Sequence, residues 1–299
     1  MIRAVRSPAK INLWLEVLRK RADRYHDLST LMLPIAVYDE IEMELRPGGG
    51  IHLICDDPQL PADKENLAWK AADRFFEEVR STNSAWIQLR KRIPVAAGLG
   101  GGSGDAALVL RVLNEMHGEP LTRKRLHELA TGLGADVPFF LQQRPALATG
   151  IGEVLQPVLG VPDYPIVLIT PPLKISTVWV YQSLTLTRGS SSINLKDFLD
   201  QPWQLAQVMQ NDLEQVTLQK YPVLVEIKDW LLAQGARGAL MSGSGPTMFG
   251  IFCEEEQAAR VGENAADRWG SCWVKVSRTL GRGVPYEASP EGWKMQGGA

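Results

Sequence analysis

The run Pro94-Val95-Ala96-Ala97-Gly98-Leu99-Gly100-Gly101-Gly102-Ser103-Gly104-Asp105-Ala106-Ala107 sets four glycines between positions 98 and 102, directly before a helical pattern. Glycines permit positive φ and let backbone N–H groups come close to a phosphate. A helix start adds N–H groups without intrahelical partners and a partial positive charge. The chemistry this predicts is anion binding without a basic side chain. A Walker A loop would need a Gly-Lys-Ser/Thr triplet, and the run has no lysine. Gly102, Gly104 and Ala107 satisfy the dinucleotide pattern G-x-G-x-x-A. Pro94, however, breaks the approach strand, and the acidic residue expected about 20 positions on falls in another helix. A plain turn is the remaining alternative.

Three other segments carry side chains of chemical interest. In residues 8–18, Ile11, Leu13, Leu15 and Val17 alternate with Lys10, Asn12, Trp14 and Glu16. That spacing predicts a strand with one face in the core, with Lys10 and Asn12 projecting together from the other face, about 6.6 Å apart. Asp136 precedes Val137-Pro138 and suits either a cap for a helix over 138–142 or a carboxylate held in a restricted segment. Ser242-Gly243-Ser244-Gly245-Pro246-Thr247 is a second glycine turn, either a simple hairpin-like connection or a further set of donors to an anion.

These groups must be positioned by a chain of 299 residues, 45% hydrophobic and 22% charged, enough for one large or two medium cores. Its net charge of −2 gives no bulk attraction to nucleic acid or anionic membrane. Cys55, Cys253 and Cys272 are scattered, with no Cys/His cluster, so free thiols and no structural zinc are expected. No signal-peptide core or transmembrane run is present, which predicts a cytoplasmic protein.

The 8–18 strand is followed by a charged turn, Lys20 to His26. Further strands are expected at 35–45, 51–55 and 85–91, and helices at 65–80, from Ala106 to Gly118, and at 122–131. Pro157, Gly160, Pro162 and Pro165 suggest a boundary near 155–163. Beyond it the pattern predicts strands at 165–170, 247–252 and 272–277, with helices at 203–219, 221–234 and 254–268. The tail from Gly281 is rich in Gly and Pro and is expected to be poorly ordered.

Residues 94–107 resemble the phosphate loop of the GHMP kinases, which include galactokinase, homoserine kinase and mevalonate kinase. The form Gly-Leu-Gly-Gly-Gly-Ser-x-Asp-Ala-Ala is most similar to the branch that phosphorylates a cytidine-diphosphate-linked polyol on the non-mevalonate route to isoprenoid precursors. Pro8 to Leu13, Arg21 to His26, Glu65-Asn66-Leu67, Gly134 to Phe140, Asn211 to Glu214 and Ser242 to Thr247 match that branch in order along the chain. The resemblance implies an α+β fold. Its N-terminal domain, residues 1–159, would be like domain 2 of ribosomal protein S5, and residues 160–299 would be ferredoxin-like. It implies ATP as donor with Mg²⁺, a small-molecule substrate, no nucleic-acid or membrane partner, and a monomer or homodimer.

The same resemblance assigns roles. Asp136 would take a proton from the substrate hydroxyl and Lys10 would sit beside it. Pro94 through Asp105, with Asn66, would hold ATP. Asn12, Tyr25, His26, Tyr181 and Ser244 would hold the substrate, with Trp179 a possible replacement for Tyr181. Two departures stand out. Position 104 is Gly where the branch has Ser, which leaves Ser103 or water for Mg²⁺ and predicts weaker use of the metal. Position 24 is Arg where the branch has Gly. Another GHMP kinase, such as homoserine kinase, and a non-catalytic nucleotide sensor are the rival expectations.

Overall fold

A computed structural model describes residues 2–186 and 193–284 of the chain. The chain opens as a long antiparallel hairpin of β1 (Ile2–Lys20) and β2 (His26–Pro47). The strand expected at 8–18 is therefore present and longer at both ends. Its polar face is not solvated, however: Lys10, Asn12, Trp14 and Glu16 are all buried. A second sheet packs across this strand, and a register shift between Asn12 and Trp14 turns Trp14 into the same apolar cluster as Ile11 and Leu13.

β3 (Gly50–Cys55) runs parallel to β4 (Asn83–Arg90), because α1 (Leu67–Val79) crosses over between them. Three helices follow, α2 (Gly101–Met116), α3 (Arg123–Leu133) and α4 (Val137–Gln142). Then β5 (Ala146–Thr149) and β6 (Val154–Pro157) complete a sheet of order β3-β4-β2-β5-β6, with β1 on β2. Ile41, Met43, Ile87 and Leu89 on this sheet pack against Phe75 of α1, Val109 of α2 and Phe139 of α4.

The second half begins with β7 (Pro165–Thr170), α5 (Thr177–Ser183) and α6 (Leu195–Asp200). It continues through α7 (Glu214–Lys220), α8 (Pro222–Ala233), β8 (Gly238–Met241), β9 (Met248–Ile251), α9 (Glu255–Arg268) and β10 (Trp273–Arg278). The strands form an antiparallel sheet of order β10-β7-β9-β8. Every residue of β7 is buried. Ile166 and Leu168 face Ile11 and Leu33 of the first sheet, whereas Val167 and Ile169 face Ile227 and Leu231 of α8. Two sheets with helices on their outer faces and a shared apolar layer between them make the fold α+β, as expected.

The helix expected at 203–219 is a correction. Only residues 214–220 are α-helical, and Leu205–Gln207 is a single 3₁₀ turn. Between them the backbone bonds β1: the Leu15 N–H donates to the Gln210 carbonyl at 2.8 Å and the Asp212 N–H to the Leu15 carbonyl at 2.9 Å. These tertiary bonds outweigh helix propensity. The expected tail is tied down where it starts, since the Gly281 N–H donates to Asp163 at 2.6 Å and the Val284 N–H to the Gln143 carbonyl at 2.8 Å. Its remainder, 285–299, lies outside the described residues. Among the described residues no helix is long and apolar enough to cross a membrane.

Candidate active site

The glycine run is a fixed loop, not a plain turn. Ala97 and Leu99 point into the core and are buried, which leaves Ala96, Gly98 and Gly100 facing a cavity. Gly98 and Gly100 have φ of 77° and 72°, and a Cβ at Gly98 would lie 2.0 Å from the Ser242 carbonyl oxygen. Only glycine fits there. The loop is tied to the second glycine turn: the Ser242 hydroxyl donates to the Gly98 carbonyl at 2.9 Å and the Thr247 N–H to the Ala97 carbonyl at 3.3 Å. It is tied to β1 as well, by the Lys10 N–H donating to the Leu99 carbonyl at 2.9 Å. α2 starts inside the glycine run, with Gly100 at its N-cap, so the N–H groups of Gly101, Gly102 and Ser103 open its first turn.

Lys10 and Asp136 meet beside this loop, Nζ to Oδ2 at 3.5 Å. Lys10 is only 3% exposed. Its Nζ donates to Asn12 Oδ1 at 2.7 Å, Asn12 Nδ2 donates to Thr30 Oγ1 at 2.8 Å, and Thr30 donates to the Trp14 carbonyl at 2.6 Å. This chain of bonds fixes the ammonium. The Asn12 amide, engaged by Lys10 and Thr30, orients Lys10 while Asn12 also lines the cavity. Asp136 stands at the N-terminal end of α4 without making a capping hydrogen bond. Its carboxylate is thus directed to Lys10 and the cavity.

The cavity of about 730 Å³ runs from Lys10, Asp136, Gly100 and Ser103 at one end to Tyr25, His26 and Tyr181 at the other. His26 and Tyr181 stack with centroids 5.3 Å apart and planes 26° from parallel. Tyr25 is 60% exposed at the rim. Trp179 packs elsewhere, under Lys220 and against Tyr221, so Tyr181 is the aromatic that the structure brings to the cavity. Burial, followed by the Asp136 carboxylate, pushes the Tyr181 phenol upward. Burial and the Lys20 charge hold His26 below its ordinary value, which favours the neutral imidazole. Ser244 also lines the cavity and shares a 2.7 Å hydrogen bond with Thr177 of α5.

A second cavity of about 320 Å³ lies on the far side of the loop, lined by Leu60, Pro61, Asn66, Pro94 and Val95 among others. Ala96, Gly98, Gly100 and Ser103 border both spaces, so the loop is the wall between them. Asn66 shapes this rim as the cap of α1: Oδ1 accepts from the Ala68 N–H at 2.9 Å and Nδ2 donates to the Pro61 carbonyl at 2.8 Å.

Beneath the loop lies a buried group that sequence reasoning missed. Lys91 Nζ bonds both Asp39 and Asp105. Asp39 Oδ1 also accepts from the Arg92 and Ile93 N–H groups at 2.6 and 2.9 Å. The entry to the loop at 91–93 and its exit at Asp105 are thereby clamped to one carboxylate of β2. No local motif announces this, because the three residues come from three elements. Asp105 is 2% exposed and faces Lys91, so it supports the loop from below.

Position 104 also differs from expectation. A Cβ there would meet Ser7 Oγ at 2.5 Å and the Pro8 carbonyl at 3.1 Å. With Ser7 oriented as it is, a side chain at 104 is crowded, and glycine lets β1 pack closely against α2. Among the described residues no group of three or more His, Cys, Asp or Glu side chains is placed to hold a metal ion. Mg²⁺ carried on nucleotide phosphates keeps most of its ligands as phosphate oxygens and water. The oxygen donors of Ser103 and Asp136 on the cavity wall suit such an ion.

The family model described as GHMP kinases N terminal domain matches residues 66–144, and that described as GHMP kinases C terminal matches residues 195–271. A 4-diphosphocytidyl-2-C-methyl-D-erythritol kinase of Geobacter sulfurreducens is 48% identical over 92% of this chain and 98% of its own length. The enzyme of the same name from Syntrophotalea carbinolica is 45% identical over 88% of this chain and 94% of its own. A crystal structure of 4-(cytidine 5'-diphospho)-2C-methyl-D-erythritol kinase superposes with a TM-score of 0.81 at 36% identity, covering 93% of this chain and all of that one.

Proposed function

The chain belongs to the GHMP kinase family, and on that premise we propose that it transfers the γ-phosphoryl group of ATP to the 2-hydroxyl of 4-diphosphocytidyl-2-C-methyl-D-erythritol, a step of the non-mevalonate route to isoprenoid precursors. Full-length similarity to kinases of that name supports the substrate. The observation that carries the chemistry is the Lys10–Asp136 pair, held at 3.5 Å where both glycine loops meet the cavity.

In this reading ATP lies across the loop, its base in the smaller cavity near Asn66 and Pro94 and its phosphates against the N–H groups from Gly98 to Ser103. The cytidine lies at Tyr25, His26 and Tyr181. The neutral imidazole of His26 can exchange hydrogen bonds with the edge of the cytosine. That places the polyol hydroxyl toward Asp136. The hydroxyl proton passes to the Asp136 carboxylate as the new O–P bond forms and the bond to the β-phosphate oxygen breaks, releasing ADP. Lys10 orients the Asp136 carboxylate and opposes negative charge on the transferring group. Ser103, with water, would hold Mg²⁺ on the phosphates, and the ion would supply further charge neutralisation there. Ser244 and the turn at 242–247 close the cleft from the second sheet. We assign residues 1–159 to nucleotide binding and 160–299 to this closing half, since the two sheets span 2–157 and 165–278.

An ADP-release assay with ATP and this polyol tests the reading. Wild type should turn over, and Asp136→Ala should lose about 10²–10⁴-fold in kcat while still binding ATP. Absence of ADP release by wild type, or near-normal turnover by the variant, would contradict it.

A further inference from the structure

The end of β1 and the turn that leads to β2 hold four cations, Arg19, Lys20, Arg21 and Arg24. Two of them are neutralised within the turn. Arg19 pairs with Asp27, and Arg21 pairs with Asp23 at 3.0 Å and Asp27 at 3.1 Å. Among the described residues Lys20 and Arg24 have no such partner, and both are exposed at the lining of the large cavity. Asp23 lines it too, but its charge is offset by Arg21. The turn therefore presents net positive charge to the cavity, next to Tyr25 and His26.

Arg24 sits in a strained conformation, with φ of 72°. The left-handed region disfavours any side chain with a Cβ. The turn is closed around it by the Arg21 N–H donating to the Tyr25 carbonyl at 2.8 Å and the Tyr25 N–H donating to Asp23 at 3.1 Å. A glycine would relieve the strain at no loss of a hydrogen bond or ion pair, since among the described residues the guanidinium makes neither.

We infer that Arg24, with Lys20, is a specificity determinant that binds the diphosphate of a nucleoside-diphosphate-linked substrate. The inference rests on the functional reading given above. A cytidine seated at Tyr25, His26 and Tyr181 sets its diphosphate beside that end, between the nucleoside and the polyol, and Lys20 and Arg24 line the cavity next to Tyr25 and His26. Their charge is otherwise uncompensated, and a guanidinium matches phosphate oxygens in a bidentate geometry. The nucleotide's triphosphate has the same chemistry, but it is cradled by the glycine loop on another wall of the cavity.

Steady-state kinetics of Arg24→Gly, varying each substrate in turn, separates these sources. KM for the cytidine substrate should rise about five- to tenfold. KM for ATP and kcat should stay within about twofold, and the thermal midpoint should hold or rise as strain is released. Added salt should raise the wild-type KM for the cytidine substrate more steeply than the variant's. Arg24→Lys should recover part of the loss. An unchanged KM for the cytidine substrate, or an equal rise for ATP, overturns the inference while leaving the kinase reading intact. Failure of wild type to turn the substrate over removes both.

Discussion

Asp136 occupies a capping position without capping, which frees a carboxylate at the point where α4 meets the cavity. Asp105 is the opposite case, a carboxylate with no access to solvent that must share one ammonium with Asp39. Burial, with Asp39 adding to it, pushes the Asp105 carboxyl up to about 7 against the pull of Lys91. In the unfolded chain the same group titrates near 3.9. Between these two values the folded chain holds a proton that the unfolded chain lacks. The stability this gives is present at acid pH and lost as pH rises through about 7, with a slope no steeper than ~1.4 kcal/mol per unit. Asp105→Asn keeps an acceptor for Lys91 and removes the titration. The drop in urea midpoint between pH 5.5 and pH 8 should therefore be smaller in Asp105→Asn than in wild type. Equal drops would show that Asp105 does not titrate in this window. Lys10 and Asp136 were legible as residues because they stand in short motifs. Asp39 and Lys91 were not, since their pairing is set by packing among β2, the end of β4 and α2.

At the scale of elements, the close packing of β1 against α2 explains a position that sequence alone left open. Gly104→Ser would put a Cβ 2.5 Å from Ser7 Oγ. The variant should lose about 1–3 kcal/mol of stability to overpacking. Ser7→Ala removes the clashing oxygen, and the Ser7→Ala, Gly104→Ser double variant should regain part of the loss. Additive losses in urea titrations would contradict the contact. The elements missed by sequence reading share one property: they are short. β5, β6 and β8 have four residues each, too few to show an alternating pattern. The α2 start was misjudged for another reason. Glycines disfavour a helix by propensity, yet Gly101, Gly102 and Gly104 lie in its first turns, where Ile93 and Asp39 press close to Gly101, and Ser7 and Phe140 to Gly104.

At the scale of the whole molecule, the site depends on one buried amide between the two sheets. Asn211 Nδ2 donates to the Met241 and Gly243 carbonyls at 2.8 and 2.7 Å, and its Oδ1 accepts from the Leu213 N–H at 3.0 Å. Asn211→Ala leaves three buried backbone groups without a partner and should cost about 2–4 kcal/mol. A shift below about 0.5 kcal/mol in thermal or urea denaturation would show that the turn is held by other means. Most strands and helices were legible from periodicity, while the α+β class came from the family resemblance. The burial of both faces of β1 was not, because alternation records one apolar face and is silent on what covers the other.

The bond from Ser242 to Gly98 has a consequence in time as well as in space. A ribosome makes the phosphate loop in the first half of the chain, but the residues that lock it arrive only after position 240. Until then the carbonyls of Ala97 and Gly98 lack the partners that fix them, and Lys10 lacks the strand pairing of β1 with residues 210–212. The growing polypeptide passes most of its synthesis with Lys10 made and the site unassembled. Kinase competence thus comes late, and an interrupted chain is excluded from it.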